Sequence, residues 1–164
     1  MKKAFYIIIR GPLGIGKSTI AKELTKKLKA TYISFDKVLE ENGIDRGDDN
    51  FTPEDFIKAN NIVLPIIKKD LSEGKIVILD GCFYFKEQIQ YLEENISEKG
   101  YIFSLKAPLA VCIERDSKRK RVYGKQAAIE VHALVSKFDH GFIINTEGKT
   151  EQQVTEEILL KIKD

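Results

Sequence analysis

The stretch GPLGIGKST carries the residues with the clearest chemical potential in this chain. Gly11, Gly16, Lys17 and Ser18 match the pattern G-x-x-x-x-G-K-[ST], between an apolar run and an amphipathic one. Glycines let the backbone curl so that its N–H groups point inward, and the start of the following helix adds positive partial charge. We therefore predict a phosphate-binding loop, in which Lys17 reaches the β- and γ-phosphates of a nucleotide and Ser18 ligates Mg²⁺. The predicted nucleotide-binding residues are Gly11, Pro12, Leu13, Gly14, Ile15, Gly16, Lys17, Ser18 and Thr19.

Two acids follow the second and third predicted strands, where a parallel sheet would place them beside this loop. Asp80 ends the apolar run KIVILD, which is typical of a residue that reaches Mg²⁺ directly or through water. Its alternative role is that of a helix N-cap or a turn acid. Asp36 is a candidate to accept the proton of an incoming hydroxyl group, and its alternative role is to cap a helix beginning at Lys37.

The densest basic cluster lies in CIERDSKRKRVYGK. We predict a helix that carries Arg115 and Arg119 four residues apart, a spacing that is unfavourable unless an anion or an acid lies nearby. At least one of these arginines is therefore expected to stabilise a phosphoryl group. The alternatives are a solvated charge run or a pair between Asp116 and Arg119. Two further i,i+4 pairs are predicted on this helix: Glu114–Lys118 and Asp116–Lys120.

Five short runs rich in β-branched and aromatic residues predict the strands that position these side chains. Segments with helical periodicity lie between them, and Ile20, Leu24 and Leu28 share one face of the first such segment. Buried strands that alternate with helices favour an α/β fold with a parallel sheet covered on both faces. The predicted strands are Ala4–Ile9, Thr31–Phe35, Lys75–Asp80, Tyr101–Leu105 and Phe142–Asn145.

Two local signals bear on the helices. Pro65 lies inside a periodic stretch, so we expect a kink or break near Leu64. Thr150 and Gln153 have the spacing of a capping box and predict the start of the last helix.

Length and composition limit the possible classes of protein. The chain of 164 residues is expected to form one domain, 1–164, because single domains typically span roughly 100–200 residues. A net charge of only +2 argues against nucleic acid or an anionic membrane as partner. Cys82 and Cys112 have neither metal-ligand nor redox spacing, so we expect buried, reduced thiols. Neither a membrane-length apolar run nor a signal peptide pattern is found, which favours a cytoplasmic location.

With these residues placed, the chain resembles the small P-loop kinases, a group that includes adenylate, shikimate, gluconate and polynucleotide kinases and chloramphenicol phosphotransferase. The segment SFD at 34–36 is similar to the place where two of these enzymes carry an acceptor-activating aspartate. The segments ILDGCFYFKEQI and VCIERDSKRKR resemble their third strand and their arginine-bearing lid. The resemblance implies five parallel strands, a mobile helical lid over ATP, and Arg115 and Arg119 as lid arginines that stabilise the transferring phosphoryl group.

The acceptor side departs from each of these relatives. Polynucleotide kinases place an arginine shortly after the aspartate to hold the phosphate of the substrate, where this chain has Leu39. Gly81 replaces the hydroxyl residue expected after Asp80, and the paired acids and glycine triplet of shikimate kinases are missing. We expect acceptor contacts within residues 44–60, where Arg46 is the only arginine for an anionic substrate.

These observations predict ATP-dependent, Mg²⁺-assisted phosphoryl transfer to the hydroxyl group of a small molecule. One alternative is a kinase that acts on nucleosides, nucleotides or nucleic-acid 5′-hydroxyl groups. Another is a nucleotide-binding ATPase or switch that has no acceptor. The acceptor, the preferred base and the oligomeric state stay open at this point.

Overall fold

One parallel sheet of five strands forms the centre of the computed structural model, which describes residues 3–44 and 51–163. The strand order is β2-β3-β1-β4-β5, and every neighbouring pair is parallel. The strands are β1 Phe5–Arg10, β2 Thr31–Ser34, β3 Val77–Gly81, β4 Lys99–Lys106 and β5 Phe142–Asn145. The helices of the described residues are α1 Lys17–Leu28, α2 Phe35–Glu41, α3 Pro53–Ser72, α4 Lys86–Asn95, α5 Leu109–Ser117, α6 Lys125–Val135 and α7 Glu151–Lys163. The predicted α/β fold with five parallel strands is confirmed.

The sheet is buried on both faces, as the apolar strand sequences predict. Side chains alternate along β1, so that Tyr6 and Ile8 join one hydrophobic cluster while Ile7 and Ile9 join another. The first cluster packs chiefly against α3 and α4, and the second packs against α1 and α7. Helices therefore hold the sheet from both sides and leave its carboxyl edge for the loops.

The strand register brings the chemically interesting residues to that edge. Asp80 is paired with Ile9 of β1 and with Ser34 of β2. The phosphate loop begins directly after β1, and Asp36 lies two residues beyond Ser34. The sheet thus delivers both predicted acids and the loop to one place.

Helix α3 runs without interruption from Pro53 to Ser72, so a break near Leu64 is wrong, whereas a kink there stays a prediction. Pro65 removes one helical hydrogen bond at a cost of about 3 kcal/mol. Val63, Leu64 and Ile67 around it are buried in the core, and this packing keeps both halves of the helix in place.

Two smaller predictions are confirmed. The capping box of α7 is present, since the Thr150 N–H donates to Gln153 Oε1 at 2.8 Å and the Gln153 N–H donates to Thr150 Oγ1 at 3.1 Å. Cys82 and Cys112 are buried free thiols. Among the described residues, no helix combines the length and the apolar character that a membrane crossing requires.

Candidate active site

The phosphate loop owes its shape to glycine backbone geometry. Gly14 and Gly16 have φ values of 78° and 93°, which L side chains rarely adopt. A Cβ at Gly14 would also collide with the carbonyl oxygen of Cys112 in α5. Gly16 caps α1 and supplies no side-chain hydrogen bond, so the first N–H groups of the helix are available to an anion.

The other side chains of the loop either pack into the core or are exposed to solvent. Ile15 and Leu13 pack into hydrophobic clusters, whereas Ser18 and Thr19 are exposed. The Lys17 ammonium donates to the carbonyl oxygen of Pro12 at 2.9 Å and lies folded back over its own loop. An ammonium group has three N–H donors, so two of them remain for a phosphate in the cleft.

A cleft of about 460 Å³ opens beside the loop, within the size range of pockets that hold small ligands. It brings together Lys17, Ser18, Asp36, Arg115 and Arg119, which were predicted from separate parts of the sequence. The cleft is lined by Leu13, Gly14, Ile15, Gly16, Lys17, Ser18, Thr19, Ile20, Asp36, Arg115, Lys118, Arg119, Tyr123, Thr146, Lys149, Thr150, Glu151 and Val154.

Three predicted residues do not line this cleft. Gly11 lies at the base of the loop, close to Leu105 of β4, and an added Cβ would stand 3.0 Å from the Leu105 carbonyl oxygen. Pro12 borders a separate cavity of about 160 Å³. Asp80 is 1% exposed and lies beneath the loop rather than in the cleft wall.

Asp80 belongs to a buried polar cluster. The Tyr32 hydroxyl donates to Asp80 Oδ2 at 2.7 Å, and Ser18 is close enough to influence the pKa of Asp80. Burial raises the pKa of Asp80, the Tyr32 hydrogen bond and Lys17 lower it, and Asp36 raises it. The alternative role of Asp80 as an N-cap or turn acid is wrong, because Asp80 is a residue of β3.

These residues fit a magnesium ion. Ser18 and Asp80 supply a hydroxyl and a carboxylate oxygen close to the phosphate loop, and Mg²⁺ prefers oxygen ligands. In the described part of the chain no three His, Cys, Asp or Glu side chains gather into a metal cluster. A magnesium ion here would take its remaining ligands from phosphate and water.

Asp36 is exposed in the first turn of α2 and faces the cleft. Its alternative role as a helix cap is wrong, because α2 begins at Phe35 and the Ser34 hydroxyl accepts the Lys37 N–H at 3.4 Å. The Asp36 charge is close enough to raise the pKa of Asp80 and of the Cys82 thiol. The carboxylate is thus free of a capping duty at a position close to the buried cluster.

The lid segment comprises α5, the lid loop of residues 118–124, and α6. Arg115 and Arg119 do not share a helix as predicted, because α5 ends at Ser117. Arg115 donates from Nη1 to Thr146 Oγ1 at 3.1 Å and from Nη2 to the Thr146 carbonyl oxygen at 3.2 Å. Arg119 is exposed in the lid loop with its guanidinium 5.4 Å from the ring centre of Tyr123. One arginine is therefore fixed and the other is held loosely.

Asp116 explains where the helix ends. Its carboxylate is buried and accepts the N–H groups of Tyr123 and Gly124 at 3.2 and 2.9 Å. The predicted pairs of Asp116 with Lys120 and with Arg119 are therefore wrong. The Glu114–Lys118 pair is confirmed at 2.8 Å.

The sequence does not single out Tyr32, Thr146 or Glu151. Tyr32 and Ser34 lie two residues apart in β2 and therefore share a face of the sheet, but only the register, which pairs Ser34 with Asp80, brings Tyr32 close to that acid. Glu151 lies at the start of α7, and a Cβ at Gly16 would stand 3.2 Å from its Oε1. No local signal connects position 151 to the loop.

Comparison with known proteins shows the family to which this chain belongs. A family model described as an AAA domain matches residues 7–137, a range that runs from β1 to just beyond α6. The chain belongs to this AAA domain family. The matched range contains the phosphate loop, both acids and the whole lid segment.

Relatives of this AAA domain protein carry different names. A tRNA dimethylallyltransferase from Staphylococcus carnosus is 30% identical over 100 residues, which cover 61% of this chain and 29% of that protein. A shikimate kinase from Francisella tularensis subsp. holarctica is 30% identical over 120 residues, covering 68% and 63%. A shikimate kinase from Persephonella marina is 26% identical over 172 residues, covering 96% and 98%. The chain thus spans less than two thirds of the length of the first two relatives.

Solved structures agree on the architecture. A sugar kinase from Janibacter superposes with a TM-score of 0.84 at 16% identity, covering 98% of this chain and 95% of that one. A gluconokinase from Sinorhizobium meliloti gives a TM-score of 0.72 at 15% identity, covering 99% and 94%. The predicted resemblance to the small P-loop kinases is confirmed at the level of fold.

Proposed function

We propose that this protein is a single kinase domain over residues 1–164 that transfers the γ-phosphoryl group of ATP to a hydroxyl group of a small molecule, assisted by Mg²⁺. The observation that carries the proposal is the cleft of about 460 Å³ that joins the phosphate loop to Asp36 and to Arg119. Phosphoryl transfer requires mainly positioning and charge neutralisation, and this cleft has groups for both.

The phosphate loop would hold the nucleotide through its backbone. The N–H groups of the loop and of the uncapped start of α1 would donate to the phosphates, and Lys17 would add a full charge from the cleft lining. Ser18 and Asp80 would hold Mg²⁺, which withdraws charge from the phosphate oxygens when bound. Gly11 and Pro12 serve the shape of the loop rather than direct contact.

Asp36 would act on the acceptor. Its carboxylate takes the proton of the acceptor hydroxyl, while the acceptor oxygen bonds to the γ-phosphorus and the bond from that phosphorus to the bridging oxygen of ADP breaks. The products are a phosphate ester and ADP, and the proton remains on Asp36 until solvent removes it. An exposed acid in the cleft wall suits this role.

The two arginines would stabilise the negative charge of the phosphoryl group in different ways. Arg119 is exposed in the lid loop, so it can follow the transferring group and stabilise its equatorial oxygens. Arg115 is held by Thr146 and contributes a fixed positive charge to the same cleft.

The acceptor side favours a small molecule over a phosphate-bearing nucleic-acid end. Leu39, which stands where polynucleotide kinases carry a phosphate-binding arginine, is buried in the core. The net charge of +2 gives no broad attraction to a polyanion. Arg46, the predicted contact for an anionic acceptor, lies outside the described residues.

A screen of acceptors tests the proposal. ADP formation from ATP and Mg²⁺ is measured with hydroxyl metabolites, including shikimate, gluconate and simple sugars, beside nucleosides, nucleoside monophosphates and 5′-hydroxyl oligonucleotides. We expect ADP formation to depend on a small non-nucleotide acceptor, and to be lost in Lys17→Ala prepared in parallel. Activity confined to nucleosides, nucleotides or oligonucleotides would replace the proposal with the corresponding kinase.

A further inference from the structure

Arg10, the last residue of β1, is the largest fully buried side chain, with 1% of its surface exposed. Its Nη1 donates to Ser104 Oγ and to the Phe138 carbonyl oxygen, both at 3.1 Å. Its Nη2 donates to the carbonyl oxygens of Val135 at 2.9 Å and Phe83 at 3.4 Å. The guanidinium also lies 4.1 Å from the ring centre of Phe138. This side chain takes no part in the cleft described above.

Among the residues that the structure describes, no carboxylate forms an ion pair with this cation. Burial lowers the pKa of Arg10 to about 10, and the more distant Asp139 and Cys82 oppose that shift. Asp139 itself pairs with Lys106 at 2.7 Å. A buried charge whose hydrogen bonds go to one hydroxyl and three carbonyl groups is costly, and an apolar side chain would fill the same space without that cost. The hydrogen bonds, rather than the filling of space, are what distinguish Arg10.

Those hydrogen bonds reach the far end of the lid segment. Val135 is the last residue of α6, where the carbonyl groups have no partners within the helix. A cation at a helix C-terminus is favourable because of the helix dipole. Arg10 therefore caps α6 from the sheet, and it also holds Phe138 three residues further on.

The rest of α6 is fastened along its length. His132 Nε2 is 2.9 Å from the Ala107 carbonyl oxygen, and Val135 packs with Leu13 of the phosphate loop and Cys82. At the other end, Asp116 holds the N–H of Gly124, the residue that precedes α6. A shift of the C-terminus of α6 is thus passed along the helix to the lid loop that carries Arg119.

Another partner of Arg10, the Phe83 carbonyl oxygen, lies just after β3, the strand that contains Asp80. Phe83 has a φ of +49°, a left-handed conformation that is unfavourable for a residue with a side chain. It lies three residues after Asp80, and Arg10 directly precedes Gly11. Arg10 is therefore joined through its backbone to the start of the phosphate loop, and its guanidinium contacts the segment after Asp80 and the end of the lid segment.

We infer that Arg10 is a positioning residue that couples nucleotide binding at the phosphate loop to the placement of α6 and, through it, of Arg119. Its effect on turnover rests on the proposed kinase function, whereas the coupling itself requires only that a nucleotide binds. Failure of one can therefore be told from failure of the other.

Hydrogen exchange with a non-hydrolysable ATP analogue and Mg²⁺ tests the coupling in the wild-type protein. We expect the amides of 125–138 to exchange at least severalfold more slowly when the analogue is bound. In Arg10→Lys, which keeps the charge but loses the planar fork, we expect analogue affinity within about threefold of wild type and no added protection of 125–138. With an acceptor in hand, kcat should fall about tenfold while KM for ATP changes little.

A matched variant separates coupling from simple loss of stability. Leu92→Ala opens a cavity beside α4, outside the hydrogen bonds of Arg10, and should destabilise the protein while the nucleotide still protects 125–138. Three results would overturn the inference. The nucleotide could fail to protect 125–138 in the wild-type protein, it could protect them in Arg10→Lys as much as in the wild type, or the protection could be lost equally in both variants. If no acceptor is ever phosphorylated, the exchange data still decide the role of Arg10.

Discussion

The cleft has two sides that are held in place by different means. The phosphate side, residues 13–19, is built on glycine backbone and is anchored by Leu13 and Ile15, which pack into the core. The acceptor side, Asp36 with Arg119 and Tyr123, consists of exposed side chains at the ends of helices and in the lid loop. A preformed backbone site can hold a nucleotide without rearrangement, whereas exposed side chains must be brought together before chemistry begins.

This difference predicts that binding and chemistry can be separated by substitution. Changes on the phosphate side should reduce both, because phosphate contacts exist in the ground state and in the transition state. Changes on the acceptor side should reduce transfer and spare nucleotide affinity.

The largest effect is expected at Asp36. Asp36→Asn keeps the shape of the side chain but removes the base, so phosphoryl transfer should fall by about 10²–10⁴-fold. ATP affinity should stay close to wild type, because Ser34 rather than Asp36 caps α2. The measurement is single-turnover transfer beside an ATP titration. A variant that transfers at the wild-type rate would remove Asp36 from the chemistry.

Lys17→Ala is the matching change on the phosphate side. It removes a charge from the β- and γ-phosphates, so turnover should fall by roughly 10²–10³-fold and ATP affinity should fall with it. Calorimetric titration with ATP and Mg²⁺ measures the affinity. Full affinity in this variant would mean that Lys17 remains on the Pro12 carbonyl when the nucleotide binds, which would blur the contrast between the two sides.

A smaller effect is expected at Arg119. Arg119→Lys keeps the charge and loses the forked geometry, so turnover should fall by about tenfold or more with little change in ATP affinity. Lys120→Ala, next along the same loop and outside the cleft lining, is the control and should behave as wild type. Unchanged turnover in Arg119→Lys would leave Arg115 as the arginine that acts on the phosphoryl group.

The smallest effect concerns stability and its dependence on pH. Burial raises the pKa of Asp80 in the folded protein above its ordinary value of 3.8. The nucleotide-free protein therefore loses stability as the pH rises from 3.8 through the raised pKa, because Asp80 ionises less readily in the folded state than in the unfolded state. Asp80→Asn removes this loss, so at pH 7 its Tm should rise, by about 2–4 °C per kcal/mol for a chain of this length. Affinity for ATP with Mg²⁺ should fall. A lower Tm without nucleotide would show that the charge of Asp80 stabilises the fold.

Local sequence signals predicted the phosphate side and most of the sheet. The glycine pattern from Gly11 to Gly16 encodes backbone geometry directly, and apolar runs such as KIVILD encode strands buried on both faces. Strand ends differ from the predictions by at most two residues, because hydrogen bonding to neighbouring strands decides them.

The acceptor side and the lid depend on contacts that no local pattern contains. Helix α5 ends at Ser117 because Asp116 accepts N–H groups seven and eight residues away. In the sequence, Arg10 only follows an apolar run and gives no sign of its role. Its carbonyl partners lie 73 to 128 residues further along the chain. Hydrogen bonds between such distant residues depend on the fold and could not be predicted from the sequence.

The fate of the γ-phosphoryl group tests the central claim most directly. ATP labelled at the γ-position is incubated with the wild-type protein, Mg²⁺ and increasing concentrations of the acceptor found by the screen, and label is counted in organic ester and in inorganic phosphate. We predict that ester formation rises to saturation with acceptor while inorganic phosphate stays low. Label that appears only as inorganic phosphate, at a rate independent of every acceptor, would contradict the account and show an ATPase.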